Sequence, residues 1–321
     1  MRAVRVEAPG VAALVEVPTP RPADGEVLVK VEAASLCSTD RKLAATGSAV
    51  PRVPGHEVAG RLDDGTAVGV HPDIGCGRCA ECRQGLENRC AERTSIGLDR
   101  DGGLADWVAV PAPHAVPLDG LEIALSPLLE PLACCLHAVS LLGVREGDDA
   151  VVVGAGSMGI LSMWALQEAG ARVAVSQRSD ERRRLAESLG ADAVLSPEQN
   201  AGEALGEAPR LAIVAAPGGD ALEWALREVA LGGVVHAFAG TPGGAPVDAN
   251  LVHYRHLTLV GSTGSTLADY EQARELVATG AVGVDRLPRS TISLEDVPAA
   301  LLGERDPGEL KAVVDVGGDR R

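Results

Sequence analysis

Ala150-Val151-Val152-Val153-Gly154-Ala155-Gly156-Ser157-Met158-Gly159 is the stretch on which the fold turns. Four apolar residues read as a buried strand, and a G-x-G-x-x-G turn leaves that strand directly. A helical pattern follows from Met158 to about Ala169. The glycine pattern is weak alone and gains its meaning between a strand and a helix. Gly154 permits the tight turn, Gly156 lets a pyrophosphate approach the backbone, and Gly159 allows close helix–strand packing. The helix start, at Ser157 and Met158, offers N–H donors and a favourable dipole to an anion. A glycine-rich turn with no ligand is the weaker reading in this context.

Strands and helices keep alternating beyond this point. Strands are expected at 172–175, near 211–215 and near 234–239, with a charged helix over 180–189. That alternation implies an α/β fold built on a Rossmann-type, doubly wound parallel sheet. The second strand ends Val173-Ala174-Val175-Ser176-Gln177-Arg178. An NAD-preferring fold places an acidic residue there, on the ribose 2′-OH. None is present, and Arg178 with Ser176 suits a 2′-phosphate better than a carboxylate would. NADP(H) is therefore favoured over NAD(H). The rival reading is a solvated Arg178 beside a Gln177 that tolerates either cofactor.

The first 120 residues differ in character. They are dense in Gly and Pro, and short alternating runs at 28–33 and 107–110 predict a mostly β lobe. The last 35 or so residues return to mixed character, with a terminal strand at 311–315. Three segments follow: a lobe over 1–124 with a cysteine-bearing loop at about 73–95, a nucleotide-binding domain over 125–262, and a return segment over 263–321.

That loop holds Cys76, Cys79, Cys82 and Cys90, a C-x2-C-x2-C-x7-C run. Short spacers let one loop wrap a tetrahedral zinc ion with four thiolates. An iron–sulfur run would end C-x3-C before Pro, but here the last gap is seven and Ala91 follows. Two disulfides or four unrelated thiols are the remaining readings. Four thiolates close the coordination sphere, so this zinc supports a lobe and the chemistry lies elsewhere.

Composition narrows the partners. Net charge is −16, which disfavours nucleic acid and anionic membranes. No 18-residue apolar run or signal-like leader stands out, so a cytoplasmic location is expected. Aromatic residues make up 2% against 46% hydrophobic residues overall, so the core must be aliphatic.

Cys37-Ser38-Thr39-Asp40 and Gly55-His56-Glu57 supply thiolate, imidazole and carboxylate, the ligand types of an open zinc site. Glu130, in Leu129-Glu130-Pro131-Leu132, lies where the chain enters the nucleotide-binding segment and is placed to reach a site between the lobes. Singly, these residues read as a core thiol, a satisfied loop histidine and a helix-start carboxylate. Together with the glycine turn and the cysteine run they resemble the zinc-containing medium-chain dehydrogenases/reductases, the alcohol and polyol dehydrogenase family. Cys37-x-Thr39-Asp40, Gly55-His56-Glu57-x-x-Gly60, the cysteine run, Glu130-Pro131-Leu132 and Gly154-x-Gly156-x-x-Gly159 carry the likeness over most of the chain. Glu130-Pro131-Leu132 is similar to the sorbitol, glucose and threonine dehydrogenase branch.

The resemblance implies a GroES-like catalytic domain completed by the C-terminal return, with a Rossmann domain between. It implies two zinc ions per chain, one structural and one catalytic. Cys37 and His56 would bind the catalytic ion, with Glu57 or Glu130 as the acidic ligand, and Thr39 would relay the alcohol proton. Further cofactor contacts would come from Ala215, Gly240, Ser262 and Lys311. A homodimer or homotetramer is usual in the family, and the apolar run 257–260 reads as a paired edge strand or equally as a buried strand. One departure stands out: the passage 61–70 after Gly60 is several residues shorter than usual.

The expected activity is hydride transfer between NADP(H) or NAD(H) and a secondary alcohol or ketone of a polyol, sugar or (amino)cyclitol. A reductase or dehydrogenase of a simple alcohol or aldehyde is the alternative, as is a zinc-free quinone or enoyl reductase, which would lack the cysteine run. From a different class comes a non-catalytic nucleotide-binding scaffold or redox sensor, which has no need of an open metal site.

Overall fold

A computed structural model gives the fold and describes residues 1–303 and 308–317. Residues 304–307 and 318–321 of the expected return segment lie outside the described residues. The chain divides into one unit of Met1–Ala133 with Ser265–Arg321 and a second unit of Cys134–Gly264.

The first unit opens with the hairpin β1 (Arg2–Ala8) and β2 (Val11–Glu16), then the long β3 (Glu26–Leu36) and helix α1 (Ser38–Thr46). Next come β4 (Glu57–Arg61), β5 (Ala67–Val70), β6 (Asp73–Ile74), helix α2 (Ala80–Arg83), β7 (Thr94–Ser95), β8 (Trp107–Pro111) and β9 (Ala115–Pro117). Helix α3 (Leu129–Ser140) contains the boundary between the units.

The second unit holds β10 (Asp149–Val153), α4 (Ser157–Glu168), β11 (Arg172–Ser176), α5 (Asp180–Ser188) and β12 (Ala193–Leu195). It continues with α6 (Ala201–Leu205), β13 (Leu211–Val214), α7 (Gly219–Glu228), β14 (Val234–Ala237), α8 (Ala249–Tyr254) and β15 (Thr258–Gly261). The chain then re-enters the first unit with α9 (Leu267–Ala278), β16 (Arg289–Ser293), α10 (Val297–Leu302) and β17 (Lys311–Asp315).

In the second unit every pairing is parallel, in the order β12-β11-β10-β13-β14-β15. Numbered within the unit this is 3-2-1-4-5-6, the dinucleotide-binding order. Val151, Val152, Val173, Ala174 and Ile213 have no exposed surface, as strands covered on both faces require. Residues 159–166 of α4 are all buried, so that helix is apolar all round. The strands expected at 211–215 and 234–239 are shorter in the fold. The reason lies in the backbone: the N–H groups of Phe238 and Ala239 both donate to Val214 O, turning the chain out of the ladder.

In the first unit the sheet runs β16-β17-β3-β4-β5-β9, with β8 also on β3. Val29, Val31, Val58, Val68, Val70, Val108 and Val110 fill its core, the aliphatic interior that so few aromatic residues demand. The shortened passage folds as a tight hairpin, in which Leu62 N–H donates to Thr66 O at 2.9 Å and Gly65 N–H to Leu62 O at 2.9 Å. Strand register does the positioning: Ser35 of β3 pairs with Glu57 of β4, and Leu36 pairs with Ala312 of β17. The end of β3, the start of β4 and the start of β17 therefore meet.

Candidate active site

Cys37 follows β3 and caps α1, whose first turn contains Thr39 and Asp40. Gly55 precedes His56 with φ of 100°, and an added Cβ would lie 2.7 Å from Leu104 N, so only glycine fits that turn. The sulfur of Cys37, a ring nitrogen of His56 and a carboxylate oxygen of Glu57 all lie within 4.8 Å of one another. His56 is 6% exposed and Glu57 is fully buried.

The surrounding groups prepare this cluster. Asp40 is fully buried and accepts from Cys37 N–H at 2.8 Å and Gly55 N–H at 3.1 Å. Its Oδ1 also lies 3.3 Å from His56 Nδ1. Burial raises the Asp40 carboxyl, but His56 and the two N–H donors outweigh it and hold it low. Burial likewise opposes a charged His56, yet Asp40 and Cys37 together raise that ring well above its ordinary value. Nδ1 faces Asp40 at 3.3 Å without an aligned hydrogen bond, and with Nδ1 on that side Nε2 is the nitrogen available to a metal.

Glu57 is held from two sides. Ser35 Oγ donates to its Oε2, and Lys311 Nζ to its Oε1 at 2.5 Å. Lys311, expected among the cofactor contacts, is 5% exposed and lies on this carboxylate. Burial lowers the lysine, but Glu57, Cys37 and Glu130 outweigh it and raise it. Glu130 is 8% exposed and is not a member of the 4.8 Å cluster, though its charge reaches Lys311 and Tyr270. Thr39 Oγ1 stands 3.7 Å from Cys37 Sγ.

This donor set fits zinc. Thiolate, imidazole and carboxylate are its catalytic ligand types. The buried carboxyl groups of Asp40, Glu57 and Glu130 surround the Cys37 thiol, with Asp40 facing His56 and Glu57 facing Lys311, a setting that suits a bound cation.

The sulfur atoms of Cys76, Cys79, Cys82 and Cys90 also lie within 4.8 Å of one another. A tetrahedral zinc with bonds of about 2.3 Å needs sulfurs about 3.8 Å apart. Backbone N–H groups already point at this sulfur cage. Cys76 N–H donates to Cys90 Sγ and Cys82 N–H to Cys79 Sγ, each at 3.4 Å. N–H donors from Arg78 and Cys79 lower Cys76, whereas burial and the neighbouring thiols raise Cys82. Four crowded thiols cannot all ionise without a cation among them.

In the second unit Gly154 has φ of 107°, and a Cβ on Gly159 would lie 1.8 Å from Gly154 O. A Cβ on Gly156 would meet nothing within 4 Å, leaving a bare cradle beside the α4 start. No side chain caps α4, so its first N–H groups are left for an anion. Ser176 Oγ, at the end of β11, is buried without a hydrogen-bond partner. Gln177 Oε1 accepts from Arg178 N–H, and Arg178 is exposed. Arg183 is engaged by Gln177 O, Arg178 O and Asp180. Ala215 N–H joins Val153 O beside the glycine turn, Gly240 is exposed, and Ser262 is half-buried at the end of β15.

Asp40 stands inside the quoted Cys37-x-Thr39-Asp40 motif but drew no role from the sequence. Ser35 also escaped, and Lys311 was expected at the cofactor and not at Glu57, because only strand pairing brings the two to that carboxylate.

Comparison with known proteins agrees with this geometry. Residues 23–120 match the alcohol dehydrogenase GroES-like domain, and residues 157–279 match the zinc-binding dehydrogenase family. L-threonine 3-dehydrogenase of Pyrococcus horikoshii is 34% identical, covering 89% of each chain. L-galactonate-5-dehydrogenase of Escherichia coli is 28% identical, covering 84% of each. A structure described as a zinc-binding dehydrogenase from Sinorhizobium meliloti, bound to NADP, superposes with a TM-score of 0.92 at 32% identity, covering 98% of this chain and 99% of that one. The chain belongs to the zinc-binding alcohol dehydrogenases, oxidoreductases that work with zinc and a nicotinamide cofactor.

Proposed function

We propose that the protein interconverts a secondary alcohol and a ketone on a polyol, sugar or (amino)cyclitol-type substrate. The carrying observation is the cluster of Cys37, His56 and Glu57 within 4.8 Å, backed by buried Asp40 and Lys311. Cys37 and His56 hold the catalytic zinc, and Glu57 is the acidic ligand favoured over Glu130 because its oxygen belongs to the cluster. Cys76, Cys79, Cys82 and Cys90 hold the second, structural zinc. When bound, zinc supplies Lewis acidity toward the substrate oxygen, and the nicotinamide supplies hydride transfer. Asp40 fixes the His56 tautomer, Ser35 and Lys311 orient Glu57, and Thr39 carries the alcohol proton toward solvent.

The segments 1–124, 125–262 and 263–321 serve as catalytic domain, nucleotide domain and return. The Gly154–Gly159 turn with Ser157 and Met158 takes the pyrophosphate, and Ser176, Gln177 and Arg178 take the adenosine end. With Arg183 already engaged, Arg178 is the cation for a 2′-phosphate, which favours NADP(H). Ala215, Gly240 and Ser262 complete the cofactor contacts. A hydroxylated substrate also fits the similarity to an L-threonine 3-dehydrogenase and an L-galactonate-5-dehydrogenase. We place the protein in the cytoplasm as a homodimer or homotetramer paired along β15, where Leu259 is 37% exposed on the sheet edge and Tyr254 nearby is 72% exposed.

A screen of polyols, hydroxy acids, amino sugars and cyclitols with NAD+ and NADP+ separately, followed by absorbance of the reduced cofactor, tests the reading. Turnover of a secondary alcohol with NADP+ preferred, in protein holding two zinc ions per chain, is expected. A clear preference for NAD+ overturns the reading of Arg178, and a single zinc overturns the catalytic metal.

A further inference from the structure

The second unit buries two histidines to which the function above gives no task. His236, on β14, has no exposed surface, and His137, on α3, is 3% exposed. β14 and β15 pair in parallel, with His236 opposite Val260 and Ala237 opposite Gly261. Ser262 follows at the carboxyl end of β15, and its Oγ lies 3.0 Å from His236 Nε2. The other ring nitrogen, Nδ1, is buried without a hydrogen-bond partner.

These contacts decide where the ring carries its proton. Burial first, and then nearby His137, push His236 down to about 4, so the ring is neutral at pH 7. A proton on Nδ1 would seal an N–H group away unpaired, the rarest kind of buried polar atom. On Nε2 it reaches Ser262 Oγ, and Nδ1 is left as a bare lone pair. A serine oxygen that accepts from His236 keeps its own O–H proton to donate elsewhere. Ser262 remains partly exposed, so that donor is open to a ligand.

The place of Ser262 in the sheet tells which part of a ligand it meets. The glycine turn leaves β10, and Ser176–Arg178 close β11, so these take the pyrophosphate and the adenosine. In a sheet of this order the ligand crosses the carboxyl ends of the strands, and β13, β14 and β15 form the half for the second mononucleotide.

We propose that His236 is a positioning residue for the nicotinamide half of the cofactor. By donating Nε2–H to Ser262 Oγ it holds the serine hydroxyl as an outward donor to an oxygen of the nicotinamide nucleotide. The inference rests on the reading that this unit binds a dinucleotide.

The test uses the full zinc-loaded chain and tryptophan-fluorescence titration with two probes. One is the whole dinucleotide, NADP+. The other is 2′-phospho-ADP-ribose, which lacks the nicotinamide. His236→Leu and Ser262→Ala should each weaken NADP+ by three- to tenfold and leave 2′-phospho-ADP-ribose unchanged, the range of one lost hydrogen bond. The double variant should be no weaker than either single one. His236→Gln, whose amide reaches a similar position, should recover most of the binding and guards against a leucine variant that fails to fold. Equal loss for both probes, no loss for NADP+, or additive single effects overturns the positioning role. Where the unmodified protein binds NAD+ and ADP-ribose in place of these two probes, the same comparison is made with that pair; unmodified protein that binds none of the four overturns the dinucleotide reading itself.

Discussion

Cys76, Cys79, Cys82 and Cys90 come from one loop of fifteen residues, whereas Cys37, His56 and Glu57 stand at the meeting of β3, β4 and α1. The cysteine cage takes its N–H donors from its own neighbours, Cys76 and Cys82. The second cluster takes Ser35 from β3, Asp40 from α1 and Lys311 from β17, the last 254 residues from Glu57. One cluster is a local wrapping of chain, and four thiolates would close the coordination sphere of an ion bound there. The other is a product of the sheet, sets buried charged groups against one another, and its three donors would leave a fourth position open on a bound zinc. Local construction suits a structural support, and assembly from several strands suits a rigid, pre-oriented reactive site.

The sharpest break between the two is expected from ligand removal. Cys37→Ser should lower kcat by about 10^3-fold or more, roughly 4 kcal/mol of transition-state stabilisation, with cofactor binding retained. Steady-state kinetics beside a cofactor titration check this, and full activity would falsify the catalytic assignment of the second cluster. Cys79→Ser should do the opposite. It should cost about 3–4 kcal/mol of stability and roughly 10 °C in Tm, with loss of one zinc by metal analysis. An unchanged Tm would remove the structural role.

Next in size is the charge balance that the cysteine cage lacks. Lys311→Met leaves Glu57 buried without its cation, which should cost about 3 kcal/mol in chelator-treated protein and clearly less once zinc is restored. Melting curves with and without EDTA decide it, and an equal loss in both states would show that the lysine does not balance the metal.

The smallest effect concerns the scaffold that carries both clusters. His71 directly follows β5, is fully buried, and has Nε2 3.1 Å from Ser265 O and Nδ1 3.2 Å from His114 Nδ1. Burial first, then the charge of His114, bring it to about 3. A histidine with a depressed folded value contributes stability above its unfolded value, near 6.5, and loses it as pH falls toward the folded value. Unfolding should therefore become easier by about 2 kcal/mol between pH 7 and pH 5 from His71 alone. Denaturant titrations across that range check the slope. A His71→Gln variant as pH-sensitive as the unaltered protein would assign the slope to other groups.

The parallel sheet was legible because buried strands followed by helices recur with clear period changes, and because the glycine turn sits between two of them. The cysteine run was legible because all four ligands share one short stretch. Cys37, His56 and Glu57 were legible as types, but their mutual distance was not. Asp40 was visible and without a role, since nothing in Cys37-x-Thr39-Asp40 says that its carboxylate turns to the ring of His56. Lys311 was expected at the cofactor by its position in the family, and only the pairing of β17 with β3 and of β3 with β4 brings it to Glu57. The tautomer of His236 depends likewise on the register of β14 against β15.

The sequence by itself determined the class of fold and the four-cysteine cluster, because each is written in local spacing and periodicity, and it offered the residue types of a second candidate metal site through their joint occurrence. Only the tertiary structure decided which carboxylate joins Cys37 and His56, which cation lies on it and which ring nitrogen of His236 is left without a partner. Those outcomes hang on contacts between strands far apart in the chain, where register places the atoms and burial sets the charge.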